Sequence, residues 1–270
     1  MPKAETELFF IGMGLSGLNS CTLETLDILE KMDKVFVEQY TNFIPEEIPP
    51  LLKHIRPEIS ILTRKDLENN DQLFLENIKG KSSAILIPGD PFVATTHNSL
   101  RLAAIQRGFT CRIVHNASII SAAASVSGLS SYRFGRTVTC PFPHNASEFP
   151  YEIIKLNKQI GAHTLVLLDI ELSTGEFLTV NEAISILLEL EEKRKEKIFT
   201  KPDLVVGLAQ IGTKNEAISA GAAEEVMTLA WRKIGPPQAL IACAKSLHFT
   251  EEETLKTLWK VRLSNQRVDK

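Results

Sequence analysis

Ala84-Ile-Leu-Ile-Pro-Gly-Asp-Pro-Phe-Val-Ala-Thr-Thr-His97 decides the fold. Ile85, Leu86 and Ile87 follow one another without a polar break, the pattern of a strand buried on both faces of a parallel sheet. Pro88, Gly89 and Pro91 then stop it. Proline fixes φ and removes an amide donor, and glycine admits a tight turn. In open α/β sheets, ligands bind at the carboxyl ends of the strands. Asp90 therefore stands on a stiff turn at the ligand edge of the sheet. Its plain alternative role is a helix cap, and Thr95, Thr96 and His97 read as the opening of the next helix.

Working outward, short apolar strands alternate with helical patterns. Strands are predicted over 8–11, 34–38, 59–62 and 110–115, with helices over 23–32, 67–79 and 97–107. The pattern restarts after His115 with a small-residue helix over 119–126 and strands over 137–140, 163–170, 204–209 and 238–244. Helices are predicted over 152–159 and 180–195, and from about residue 250. This alternation implies an α/β chain with mostly parallel sheets. A length of 270 residues suits two domains, drawn here as 1–115 and 116–270. The proline-bearing stretch 40–50 reads as a connection.

Composition excludes several classes. A formal net charge of −3 and a pI near 6.1 argue against a nucleic-acid-binding surface. No apolar run is long enough to span a bilayer, and the polar, acidic start is unlike a signal peptide. The four cysteines are scattered without a CxxC pattern, which suits free thiols in a reducing cytoplasm. The six histidines show no metal-binding spacing, so no metal site is expected. Of these, His97, close behind Asp90, is the one set apart from simple packing or capping.

Gly12, Gly14 and Gly17 satisfy G-x-G-x-x-G after a strand, and Glu38 ends the next strand. That combination is the nicotinamide-dinucleotide fingerprint, but no hydride-transfer centre accompanies it. It is read as a ligand loop of unassigned ligand. Gly80-Lys81-Ser82 resembles the end of a P-loop, but Leu75 stands where its first glycine belongs. No G-x-S-x-G is present. Val114-His-Asn-Ala-Ser-Ile-Ile120 carries a strand into a small-residue helix. It places Ser118 and the Ile119 amide at a helix N-terminus, where anions are favoured.

Taken together, these stretches resemble the diphthine synthases of the archaeal type, within the tetrapyrrole-methylase-like (class III) methyltransferases. The resemblance rests on Phe10-Ile-Gly-Met-Gly-Leu15, Val35-Phe-Val-Glu-Gln-Tyr-Thr41, Pro88–His97 and Val114–Ile119. It continues through Tyr132-Arg-Phe-Gly135, His163–Ile170 and Val205-Val-Gly-Leu-Ala209.

The resemblance implies two αβα domains, S-adenosylmethionine in a cleft between them, and a homodimer. It places cofactor contacts on Leu15, Asp90, Val93, Ser118, Ile119, Leu168, Ala209, Ile211 and Gln238, where the family often has histidine at the last position. The implied reaction is repeated methylation of the amine of a 3-amino-3-carboxypropyl group on a histidine of translation elongation factor 2, three methyls for the archaeal type. Positioning is expected to supply most of the catalysis, and no general base is assigned. The alternatives are a related methyltransferase acting on a porphyrin-like molecule and a nicotinamide-dependent oxidoreductase built on Gly12, Gly14, Gly17 and Glu38.

Overall fold

The structure, a computed structural model, describes residues 6–40, 59–172 and 174–260. The chain divides into two units, Met1–Ile119 with Ile170–Glu176, and Ile120–Asp169 with Phe177–Lys270. The division thus falls at the start of the helix after His115, and the first unit takes back a short ribbon from the second half.

In the first unit, β1 (Glu7–Gly12), β2 (Lys34–Glu38), β3 (Ile59–Leu62), β4 (Ser83–Ile87) and β5 (Thr110–Val114) form one sheet. Its order is β3-β2-β4-β1-β5, with every neighbour parallel. The helices are α1 (Leu23–Leu29), α2 (Asp71–Asn77) and α3 (His97–Gln106). Alternation along the strands explains why both faces are covered. Leu8, Phe10, Ile85 and Ile87 share one cluster with Phe74 and Leu75 of α2 and Leu100 and Ala104 of α3. Phe9, Ile11, Ala84 and Leu86 share the other with Leu29 of α1. Ile85, Leu86 and Ile87 are fully buried, each contributing about 1.5–3 kcal/mol.

Thr22 caps α1 by accepting from the Thr25 amide at 3.1 Å. The helix expected over 67–79 is broken in two. A π-helical turn, Lys65–Asn69, precedes α2, and Asn70 between them has φ −119°. Asn69, Asn70 and Asp71 are residues whose short polar side chains compete with the helical backbone. The expected connection beyond Tyr40 lies outside the described residues.

The second unit takes α4 (Ile119–Ser127) from its second residue, then β6 (Val138–Cys140), α5 (Phe149–Gln159) and β7 (Thr164–Leu168). The ribbon β8 (Ile170–Glu171) and β9 (Glu176–Phe177) follows, then α6 (Val180–Arg194), β10 (Leu204–Ala209) and β11 (Ala217–Ala222). The chain ends with α7 (Ala223–Val226), α8 (Trp231–Ile234), β12 (Gln238–Ala242) and α9 (Phe249–Trp259). The sheet order is β11-β10-β12-β7-β6. Ile153 and Ile154 of α5, Val166 of β7, Ile184 and Leu187 of α6, Val205 and Leu240 build its core.

The expectation of mostly parallel sheets holds for five of the eight pairings in the two five-stranded sheets, and it is the second sheet that departs from it. The first sheet is wholly parallel, but in the second only β6–β7 is parallel, and the other three pairings are antiparallel. A parallel neighbour requires a crossover of about a dozen or more residues, and residues 210–216 between β10 and β11 are too few for one. β11 escapes sequence reading because Ala-Ile-Ser-Ala-Gly-Ala lacks both an apolar run and clean alternation.

Candidate functional site

β4 and β5 flank β1, so the carboxyl ends of these three strands lie side by side. The segments leaving them are locked together by main-chain bonds. The Met13 amide donates to the Ile87 carbonyl at 2.8 Å, Gly14 donates to Gly89 at 3.1 Å, and Gly89 donates back to Gly14 at 2.9 Å. Asn116, just beyond β5, donates through Nδ2 to the carbonyls of Gly12 (3.0 Å) and Ser20 (2.9 Å). The glycine loop, the Gly-Asp-Pro turn and the start of the His-Asn-Ala-Ser segment are therefore one rigid piece.

Asp90 sits inside that piece with its side chain only 10% exposed. Its Oδ1 accepts from the Phe92 amide at 3.2 Å. Its Oδ2 accepts from His115 Nδ1 at 2.8 Å and from the Asn116 amide at 3.4 Å. Burying a carboxylate is costly unless it is hydrogen-bonded, and these three donors offset that cost. An ionised carboxylate offers about four acceptor positions, so acceptor capacity remains for a ligand.

The rest of the turn is held from behind. Ala94 has φ +56°, left-handed for a residue with a Cβ, a conformation costing about 1–3 kcal/mol that only surrounding contacts maintain. Thr95 Oγ1 donates to the Pro91 carbonyl at 2.7 Å, and His97 Nδ1 donates to the same oxygen at 3.0 Å. His97 is buried, its Nε2 lies 3.9 Å from Glu38 Oε2, and its ring meets that of Tyr40 edge-on. Burial pushes the Tyr40 hydroxyl up to about 12. Glu38, fully buried, also accepts from the Tyr40 amide. It faces the protein interior, so it is not placed to read a ribose, and the dinucleotide fingerprint loses its acidic partner.

The structure brings together the expected contacts of the first unit. Leu15 lies in the glycine loop, Asp90 and Val93 lie on the turn, and Ser118 and Ile119 stand at the start of α4. A Cβ built on Gly89, whose φ is +73°, would come no closer than 4.0 Å to Ser118 Cβ. In the second unit, Ala209 pairs directly with Gln238, and Leu168 ends β7 beside β12. Ile211 is buried in the turn after β10. Gln238 has a different side-chain role from a ligand contact. Its Oε1 accepts from the Val180 amide at 3.0 Å, and its Nε2 donates to the carbonyls of Trp231 (2.8 Å) and Gly235 (3.0 Å).

Gln210, between Ala209 and Ile211, has φ +49° and a buried Oε1 without a hydrogen-bond partner among the described residues. His115 and Asn116 also belong to the site, although sequence reading leaves His115 as a packing or capping residue and gives Asn116 no role of its own. The signal that could have found His115 is the strand order. Once β4 and β5 flank β1, the first residue after β5 must lie near the turn after β4.

The model of the Tetrapyrrole (Corrin/Porphyrin) Methylases matches residues 7–227. The diphthine synthase of Methanosphaera stadtmanae is 37% identical over 254 residues, covering 93% of this chain and 95% of its own. That of Methanosarcina mazei is 36% identical over 259 residues, with the same coverages. The chain belongs to the diphthine synthase family.

Two solved structures agree. A crystal structure of diphthine synthase superposes with a TM-score of 0.85 at 32% identity, covering 94% of this chain and 96% of its own. A putative diphthine synthase from Entamoeba histolytica gives 0.84 at 30% identity, covering 96% and 100%. As a diphthine synthase family member, the chain is an S-adenosylmethionine-dependent methyltransferase. Neither the porphyrin-directed alternative nor the nicotinamide-dependent one is supported by these full-length diphthine synthase relatives. No helix among the described residues is long and apolar enough to cross a membrane.

Proposed function

We propose that the chain methylates, repeatedly, the amine of a 3-amino-3-carboxypropyl-modified histidine on translation elongation factor 2. The observation that carries this reading is the full-length match to diphthine synthases on both sequence and fold. In this reading the enzyme works in the cytoplasm as a homodimer, with the elongation factor as its protein substrate. Bound S-adenosylmethionine supplies an electrophilic methyl group on a sulfonium.

The residues present suit that cofactor. Asp90 offers remaining acceptor capacity to the hydroxyls or ammonium of the ligand. The α4 N-terminus at Ser118 and Ile119 favours its carboxylate. Leu15 and Val93 are half-buried beside these groups in sequence and give apolar contact. The unpartnered Gln210 Oε1 is an acceptor that a ligand amino group would satisfy. Leu168, Ala209 and Ile211 supply further contact, and Gln238 contributes through its backbone because its side chain is already engaged.

The experiment is methyl transfer from labelled S-adenosylmethionine to elongation factor 2, with and without the aminocarboxypropyl group. Label should enter only the modified factor. Equal labelling of both forms, or labelling of neither, overturns the proposal.

A further inference from the structure

We propose that His115 is the general base of the methyl transfer, held in its working tautomer by Asp90. The inference rests on the reading above, in which the acceptor is an amine and the donor a sulfonium. The Asp90 carboxylate only accepts hydrogen bonds, so the 2.8 Å contact fixes the proton on His115 Nδ1 and leaves the lone pair on Nε2. The His115 side chain is 73% exposed while that of Asp90 is 10% exposed. The pair therefore has a buried anionic end and an open basic end. In such a pair the carboxylate orients the imidazole and stabilises the imidazolium as it forms.

Position supports the assignment. His115 stands three residues before Ser118 on the rigid piece that carries Asp90 and the glycine loop. Among the described residues, Asp90 is the titratable group in contact with it. Residues 12–20 of the glycine loop and 116–127, which lead into and form α4, contain no acidic, basic or histidine side chain.

The chemistry needs such a group. An aliphatic amine with an ordinary pKa of about 8–10 is protonated at neutral pH and has no lone pair to attack with. His115 Nε2 takes one proton from the ammonium. The freed nitrogen lone pair attacks the methyl carbon, and the C–S bond breaks with its electrons remaining on sulfur, giving the neutral thioether. The product is a methylammonium, which must lose a proton before the next round. The imidazolium releases its proton to solvent through its open face. A trimethylammonium has no N–H left, which ends the series.

The test uses the full-length enzyme with aminocarboxypropylated elongation factor 2, comparing wild type with His115→Asn and His115→Ala. Single-turnover rates are measured between pH 6 and 9.5, and S-adenosylhomocysteine affinity is measured by calorimetry. Both variants should keep wild-type affinity within about twofold and lose about 100-fold in rate at pH 7, the scale of general-base catalysis. The deficit should shrink as pH approaches the pKa of the amine, and added imidazole should restore part of the rate of His115→Ala. Rates within about twofold of wild type overturn the assignment. So does a deficit that is the same at every pH and insensitive to imidazole, or one explained by lost cofactor affinity. Failure of the wild-type enzyme to methylate the modified factor instead overturns the acceptor reading, and the base assignment with it.

Discussion

A methyl group placed on Gly12 would sit 2.6 Å from the Gly89 carbonyl oxygen and 2.9 Å from Asn116 Cβ. Neither neighbour is the free end of a flexible side chain, so the glycine loop and the Gly-Asp-Pro turn would have to separate. Overpacking of this kind costs about 1–3 kcal/mol. Gly12→Ala should therefore lower the urea midpoint by a corresponding amount and weaken S-adenosylhomocysteine binding by at least tenfold. A variant with wild-type stability and affinity would show that the three segments need not stay in contact. The same geometry explains what is legible at the residue scale. G-x-G after a strand reads as a ligand loop, and in the structure the backbone that comes closest to Gly12 is the protein's own, at Gly89. Asp90 is visible because prolines and glycine mark its turn. Asn116 and His115 are not, since their partners lie 25 or more residues away and only the strand order joins them.

At the scale of elements, α9 is fastened by one acid. Glu251 is 1% exposed and accepts from the amides of His248 and Ser130, each at 2.9 Å, from His163 Nε2 at 3.1 Å, and from Arg133. Burial alone would raise its pKa, but these hydrogen bonds together bring it below the ordinary value of 4.5. His163, also buried, accepts the Ala244 amide on Nδ1 at 3.0 Å, which requires a neutral ring. Burial lowers its pKa below 6.5, against the opposing pull of Glu251. Both folded pKa values are depressed, so both groups stabilise the fold above their unfolded values and lose that contribution as pH falls. Stability measured by urea unfolding should begin to decline below about pH 6.5, through His163, and steepen below about 4.5. In His163→Gln the decline between pH 6.5 and 5 should flatten. An unchanged slope there would remove His163 as its source. Glu251→Ala leaves buried partners unpaired and should cost about 3–5 kcal/mol. The helix itself is readable from its apolar spacing. Its fastening is not, because Ser130, Arg133 and His163 belong to other elements.

At the scale of the whole molecule, the first unit is the more legible half. Its strands are unbroken apolar runs because helices cover both faces of a parallel sheet. In the second unit, β10 and β12 announce themselves in the same way, yet the sheet is mostly antiparallel, and periodicity within a strand carries no information about the direction of its neighbour. The candidate site follows the same division. All nine contacts are assigned through family resemblance; Asp90 is hydrogen-bonded into the rigid piece, Ser118 and Ile119 follow closely after Asn116 of that piece, and Leu168, Ala209, Ile211 and Gln238 lie in the other unit. Ligand linkage separates these claims experimentally. At about 100 times its Kd, S-adenosylhomocysteine should stabilise the folded protein by about 2.7 kcal/mol. Hydrogen exchange should then slow at the amides of 14–16, 89–90, 92–93 and 118–120, and also at 209–212 and 238–239. Protection limited to the first four segments would leave the first-unit site intact and remove the second-unit contacts. Within the second unit, Gln210→Leu sharpens the test. If the unpartnered Oε1 accepts from the ligand, this change should lower affinity by about tenfold, one lost hydrogen bond, with methyl-transfer rate at saturating cofactor unchanged. If instead it only supports the turn through the 2.5 Å bond from Nε2 to the Ile234 carbonyl, the variant should lose stability in the absence of any ligand.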